Sequence, residues 1–168
     1  MLKFFTLIFM LSLQPVFADD QLSDYRQEAN QVGTARLSVM FWDVYDATLY
    51  APEDTYHPQK SFALQLNYLM DFSGKDIAER SVEEMRKQGF DDEMKLAAWY
   101  SQMRDLFPDV EEGTSLTGIY QPQKPTAFYV GDTRLGEIKD PQFGKYFFDI
   151  WLSQKTSEPE IRRNLLSL

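Results

Sequence analysis

The stretch Thr126–Leu152, TAFYVGDTRLGEIKDPQFGKYFFDIWL, limits the possible folds more than any other, because its apolar period changes partway along. Thr126 to Val130 and Arg134 to Ile138 read as two strands joined through a tight Gly131-Asp132 turn. Asp140-Pro141 then gives helix start signals: an acceptor for unpaired backbone donors, and a residue lacking the N–H that a first turn would leave unpaired. Phe143, Tyr146, Phe147, Ile150 and Trp151 follow at i, i+3, i+4, i+7 and i+8, which puts five large apolar side chains on one helical face. A face that wide needs a sheet to cover. Packing alone accounts for it, so any chemistry must be sought elsewhere.

The same reading extends upstream. Gln21 to Gln31 is a polar, helix-permissive lead-in with only a thin stripe of Leu22, Tyr25 and Ala29. Ala35, Leu37, Val39 and Phe41 alternate with Arg36, Ser38, Met40 and Trp42 as in a strand with two unlike faces; Asp43 marks the turn, and Val44 to Tyr50 returns. After the polar loop Pro52 to Lys60, Phe62, Leu64, Leu66 and Tyr68 mark a third strand. Ser73 with Asp76 starts a helix carrying Ile77, Ala78, Val82 and Met85, and Gly89 ends it. Asp91 or Asp92 opens a second helix, with Leu96, Trp99, Tyr100, Met103, Leu106 and Phe107 before Pro108. Ser115 to Gln121 begins the second β block, and Ser157 with Glu160 frames a closing helix around Ile161, Leu165 and Leu166. Short links between successive strands favour antiparallel pairing. The predicted class is α+β, one antiparallel sheet with helices gathered mainly against one face.

Met1 to Ala18 has the form of a secretory leader: Lys3, the apolar run Phe4 to Leu13, and Val16-Phe17-Ala18 before Asp19-Asp20. A single domain over residues 19–168 is the corresponding expectation. The chain has no cysteine, so disulfides, thiolate metal sites and a cysteine nucleophile are excluded, and export would be to a bacterial periplasm. With 17 basic and 26 acidic residues the net charge is -9, and the bases are not clustered. Such a chain is repelled by nucleic acid and by anionic lipid surfaces. No apolar run is long enough for stable membrane insertion once the leader is gone.

Motifs for phosphate, dinucleotide or serine-hydrolase chemistry are missing, and GTSLTG (Gly113–Gly118) precedes a strand core rather than a helix. His57, the single histidine, lies in a Tyr-His-Pro loop, so neither a zinc site nor a triad can be assembled. No cofactor and no metal are expected. The adjacent acids Asp19-Asp20, Asp91-Asp92 and Glu111-Glu112 diverge in space and read as solvated caps or loops. Arg36 differs because it stands inside a strand beside Met40 and Trp42. There it must reach solvent, pair with an acid such as Asp46, or hold the anionic end of a ligand in an aromatic-walled cleft.

G-x-x-R-L with V-Y-D-A-x-L-Y (Gly33–Tyr50), the strand Phe62–Tyr68, PDVEEGTSLT (Pro108–Thr117), and GEIKDPQF with FFDIWL (Gly136–Leu152) together resemble bacterial chalcone isomerase-like proteins. The resemblance covers nearly all of the chain beyond the leader. It implies an open-faced β-sandwich, a large antiparallel sheet covered by a helical layer with a ligand cleft between them. Members of that superfamily include plant enzymes that close a flavanone ring with an arginine, two hydroxyls, a tyrosine and an asparagine, and fatty-acid-binding proteins without that activity. By approximate register Arg36 takes the place of the arginine, while Tyr45, Ile77, Glu83 or Glu84, and Gly144 stand where the other polar groups belong. Losing those donors removes stabilisation of charge developing on a ketone oxygen. The resemblance therefore implies a non-catalytic protein that binds a fatty acid or similar apolar carboxylate, and the leader implies that it is exported. Arg36 would pair its head group, Tyr45, Tyr50 and Tyr68 would make polar contacts, and Trp99 or Trp151 would form the apolar wall. The alternatives are an isomerase or intramolecular lyase with Tyr45 as general acid, and an interaction module without a small ligand.

Overall fold

A computed structural model describes residues 28–168 together with Leu22 and Tyr25; the leader expected at residues 1–18 lies outside the described residues. The chain forms β1 (Asn30–Val39), β2 (Trp42–Ala51), β3 (Phe62–Tyr68), α1 (Gly74–Lys87), α2 (Glu93–Leu106), β4 (Ser115–Tyr120), β5 (Thr126–Val130), β6 (Thr133–Ile138), α3 (Phe143–Leu152) and α4 (Pro159–Leu165). All six strands pair antiparallel in chain order. The α1–α2 excursion returns to the strand it left. Phe72 and Val110 exchange backbone hydrogen bonds at 3.0 and 2.9 Å, which closes its two ends and lets β4 lie beside β3. This is the expected α+β architecture, with the helices over one face of the sheet.

The period of two sorts each strand between faces. In cross-strand register, Leu37, Tyr45 and Tyr68 form one inward row, Ala47, Leu66 and Leu116 a second, and Leu49, Leu64, Gly118 and Phe128 a third. Against these rows α3 lays Phe143, Phe147, Phe148 and Trp151, all buried. Its rings meet the sheet edge-to-face, Phe147 on Phe128 at 5.3 Å and Phe148 on Phe62 at 5.0 Å. β1 and α4 approach to backbone contact: a Cβ on Gly33 would lie 2.3 Å from the Asn164 carbonyl oxygen, so only glycine fits there. The outer face has its own cluster of Ala63, Ile119, Ala127 and Tyr129 under Leu22 and Tyr25. Tyr25 donates its hydroxyl to the Tyr50 carbonyl at 3.1 Å. The thin apolar stripe of the lead-in therefore covers the back of the sheet.

Caps follow the sequence at two helices and depart from it at the other two. Ser73 accepts from the Asp76 N–H at 3.0 Å and Asp92 from the Lys95 N–H at 3.0 Å. α3 starts at Phe143 with Gln142, rather than Asp140, at the cap position, and Asp140 Oδ1 accepts from the Gln142 N–H at 2.9 Å ahead of the first turn. At α4 the cap residue is Glu158, and its N–H is taken by Thr156 Oγ1 at 3.1 Å. Ser157 is released for another partner.

The first hairpin also departs from expectation. Its turn is Met40-Phe41 rather than Asp43, since Val39 pairs with Trp42 and Ser38 with Asp43. Leu37 pairs with Tyr45, so Val44 is the extra residue of a bulge. Nothing in the sequence marks this turn, because the first turn position has a φ of 57° and is filled by methionine where glycine is preferred. A long side chain in the left-handed region costs about 1 kcal/mol. Met40→Gly should accordingly raise unfolding stability by about 1 kcal/mol, read as a higher urea midpoint at unchanged slope.

Candidate functional site

The inward rows and the helical layer separate at one end of the sheet, where a cavity of about 590 Å³ opens. Its floor is Leu37, Val44, Tyr45, Leu66 and Tyr68, and its roof is Ile77, Arg80 and Ser81 of α1 with Phe147, Ile150 and Trp151 of α3. The hairpin residues Val39, Met40 and Trp42 also line it, as do Ser157 and Glu158 from the α3–α4 link. Larger space, about 770 Å³, lies among Tyr56, Tyr120, Tyr146 and proline-bearing loops. A third hollow of about 340 Å³ borders the Glu53 and Lys60 ion pair. Of these three, only the first has mainly apolar walls between sheet and helices with the half-buried Tyr45 and buried Tyr68 on its floor, the usual form of a small-molecule site.

Tyr45 and Tyr68 are direct cross-strand neighbours, their rings edge-to-face at 6.0 Å. The Tyr45 oxygen accepts from Trp151 Nε1 at 2.9 Å, which leaves the phenolic proton available to donate. Burial pushes Tyr45 up to about 12, against the opposing effect of the Trp151 hydrogen bond; the Glu158 and Glu84 carboxylates add to the rise and Arg80 reduces it. Burial raises Tyr68 further, with a smaller contribution from Tyr45. No described group is hydrogen-bonded to the Tyr68 hydroxyl. Both are therefore neutral phenols near physiological pH, able to donate to an acceptor entering the cavity.

The charged wall belongs to α1. Glu84, with its side chain only 5% exposed, receives Arg80 at 2.7 Å, Lys87 at 2.9 Å and the Ser157 hydroxyl at 2.6 Å. Burial alone would raise this carboxyl, but the Ser157 and Lys87 hydrogen bonds, reinforced by the Arg80 and Lys87 charges, hold it below the ordinary glutamate range. Arg80 also meets Glu83 Oε2 at 3.4 Å through its other terminal nitrogen, keeps further N–H groups, and stands partly in solvent at the cavity wall.

Three of the six residues singled out from sequence, Tyr45, Tyr68 and Trp151, meet in this cavity. Arg36 does not. It pairs across the strands with Asp46 in the outward row, and its half-exposed guanidinium is engaged by Asp46 at 2.6 and 2.8 Å and by Asp43 at 2.9 Å. Its placement beside Met40 and Trp42 is corrected by the turn and bulge, which bring those two residues to the cavity while Arg36 stays on the other face. Tyr50 likewise faces outward, near Gln65 and Tyr25. Trp99 is buried in another part of the helical layer, stacked on Phe90 at 4.9 Å and donating Nε1 to Asp140 at 3.0 Å. Ile77 and Glu84 line the cavity, whereas a Cβ on Gly144 would meet Thr126 Oγ1 at 2.5 Å, so that position has no room for a hydroxyl. Arg80 and Ser157 were not singled out from sequence. The i, i+3, i+4, i+7 spacing of Ile77, Arg80, Ser81 and Glu84 was the available signal for the first. Among the described residues no three acidic or histidine side chains gather as metal ligands would.

A family model described as chalcone isomerase-like matches residues 17–167. No curated protein matches the chain. The solved structures that resemble it include the crystal structure of a fatty-acid binding protein from Arabidopsis thaliana. The TM-score is 0.62 at 12% identity over 83% of this chain and 87% of that one, a likeness of fold.

The Glu84 cluster sets a pH dependence. Since its carboxyl titrates lower folded than unfolded, its contribution to stability is complete above the ordinary glutamate range and is lost as pH falls through the lower folded value. Glu84→Gln should cost about 2 kcal/mol at neutral pH, discounted because Arg80 and Lys87 are half exposed. It should also flatten the acid limb of stability against pH, measured by urea unfolding between pH 7 and pH 3.

Proposed function

This chain belongs to the chalcone isomerase-like family, and from that premise we propose that it is a non-catalytic carrier that holds a fatty acid or similar apolar carboxylate between α1, α3 and the first three strands. The observation that carries the reading is the pair of phenols, Tyr68 buried and Tyr45 half-buried, set in the apolar wall of a cavity of about 590 Å³. That volume lies within the range of about 300 to 1,000 Å³ typical of ligand cavities. The fatty-acid binding protein from Arabidopsis thaliana with this fold gives the same direction. The head group would lie at the tyrosines, each phenol donating to a carboxyl oxygen, with Arg80 rather than Arg36 as the available cation. Removal from water raises a carboxylic acid's pKa, so the site favours the protonated acid more than a site with a dedicated counterion would. The alkyl chain would lie among Leu66, Phe147 and Ile150.

Isomerase chemistry fits less well. Tyr45, the one candidate acid, is pushed up to about 12, far from the pKa at which proton transfer at neutral pH is efficient. Neither Arg36 nor Gly144 supplies a group to the cavity. Export to a bacterial periplasm belongs to the same proposal, supported by the leader-like Met1–Ala18 and the absence of cysteine.

Native mass spectrometry and titration with saturated fatty acids test the reading. Each added methylene should tighten binding by up to about 0.8 kcal/mol until the cavity is full. Tyr68→Phe, which keeps the ring, should weaken binding about tenfold, the loss of one hydrogen bond to a polar head, and Arg36→Ala should leave it unchanged. Failure of the wild-type protein to take up any acid of the series would end the proposal, and chalcone turnover abolished by Tyr45→Phe would replace it with the enzyme.

A further inference from the structure

The first hairpin ends in four consecutive uncharged residues with large apolar side chains. Val39, Met40, Phe41 and Trp42 are 52%, 86%, 94% and 69% exposed. The other exposed large apolar side chains among the described residues, Met94 and Leu168, lie far from this run in sequence and stand singly. Scattered apolar residues need no explanation, but a contiguous projecting run does. Met40 also holds its place at a positive φ where glycine would relieve the backbone, so the tip retains a large side chain against local conformational preference.

From this run we infer that the hairpin tip seats the mouth of the cavity on an electrically neutral lipid surface. Three features favour lipid over protein. The patch is the end of a two-residue turn, and side chains of this size present a few hundred Å². A stable dimer buries about 800 Å² on each partner. Trp, Phe and Met side by side suit the boundary between headgroups and acyl chains, where rings enter to about 5–10 Å. The ions beside the tip are already partnered, Arg36 with Asp43 and Asp46, and Asp43 also accepts from the Ser38 hydroxyl, so none must be stripped of its partner at the surface. A net charge of -9 excludes anionic lipid as the preferred surface.

The tip is continuous with the cavity, for Val39, Met40 and Trp42 project outward and also line it. If the cavity holds an acyl ligand as proposed above, docking lets that ligand pass between bilayer and protein without crossing water. This is a peripheral contact; no helix among the described residues is long and apolar enough to span a membrane.

Trp42 reports on the contact directly. Of the three tryptophans, Trp99 and Trp151 are buried, so a change in emission on adding vesicles belongs to Trp42. With phosphatidylcholine vesicles the wild-type protein should pellet, shift its emission to the blue and lose quenching by acrylamide. Phe41→Ser, which does not touch the cavity, should cut vesicle binding about tenfold, and Phe41→Leu should retain most of it. No pelleting and no shift at any vesicle concentration would overturn the inference. So would a dimer in sedimentation that shields Trp42 without lipid. Uptake of a soluble fluorescent fatty acid, followed in parallel, separates the two proposals: uptake without vesicle binding ends the docking inference alone, and vesicle binding without uptake upholds docking and ends the carrier reading.

Discussion

The hydrogen bond from Trp151 Nε1 to the Tyr45 oxygen, 106 residues apart in the chain, joins the roof of the cavity to its floor. The helical layer lies on the sheet over most of its width and parts from it at one end. Over β3 to β5 the gap is filled by rings, Phe143, Phe147 and Phe148 meshing with Phe128 and Phe62. Toward β1 the rings of α3 run out at Trp151, and a buried indole N–H there must find an acceptor or cost the helix its packing. Tyr45 supplies that acceptor. The same bond fixes the separation of roof and floor and leaves the phenol with only its proton to offer, which is what a site for an oxygen-bearing ligand requires.

Much of this was legible because it follows from period. Six strands and the helices between them come from counting by two or by 3.6, and the caps at Ser73 and at Asp91 or Asp92 come from residue type; which of Tyr45, Tyr50 and Tyr68 face inward does not. What could not be counted was the phase after the first turn. Arg36, Met40 and Trp42 are all even-numbered, and an unbroken strand would place them on one face. The strand breaks at Met40-Phe41, a turn without glycine or asparagine, and Val44 adds a bulge. Each event resets which side a residue faces. Arg36 keeps its phase and faces outward; Met40 and Trp42 do not.

The two arginines show how little residue type decides by itself. Arg36 sits in a strand opposite Asp46, and bidentate geometry at 2.6 and 2.8 Å consumes its planar fork. Arg80 sits on a helix one turn from Glu83 and Glu84, meets Glu83 at 3.4 Å and shares Glu84 with Lys87 and Ser157, so some of its N–H groups stay unused beside the cavity. Ser157 has the spacing of a helix cap, yet Thr156 takes the Glu158 N–H, and the serine hydroxyl ties the α3–α4 link to α1. That tie spans 73 residues and has no local signature.

Carriage and catalysis ask different things of the same two phenols. A catalyst at a carbonyl must shift proton density as charge develops, which favours a donor whose pKa approaches the operating pH. Burial has moved Tyr45 and Tyr68 the other way, into the range where the hydroxyl holds its proton and serves only as a fixed dipole. Such a donor grips an oxygen without being consumed by it, and it requires no mobile water at the site. In the carrier proposed above, such a cavity would be limited by how its cargo enters and leaves rather than by any chemical step. It is consistent that the chain keeps methionine, at a cost in backbone energy, on the projecting turn that borders the opening, where a glycine would hold the fold better and touch nothing.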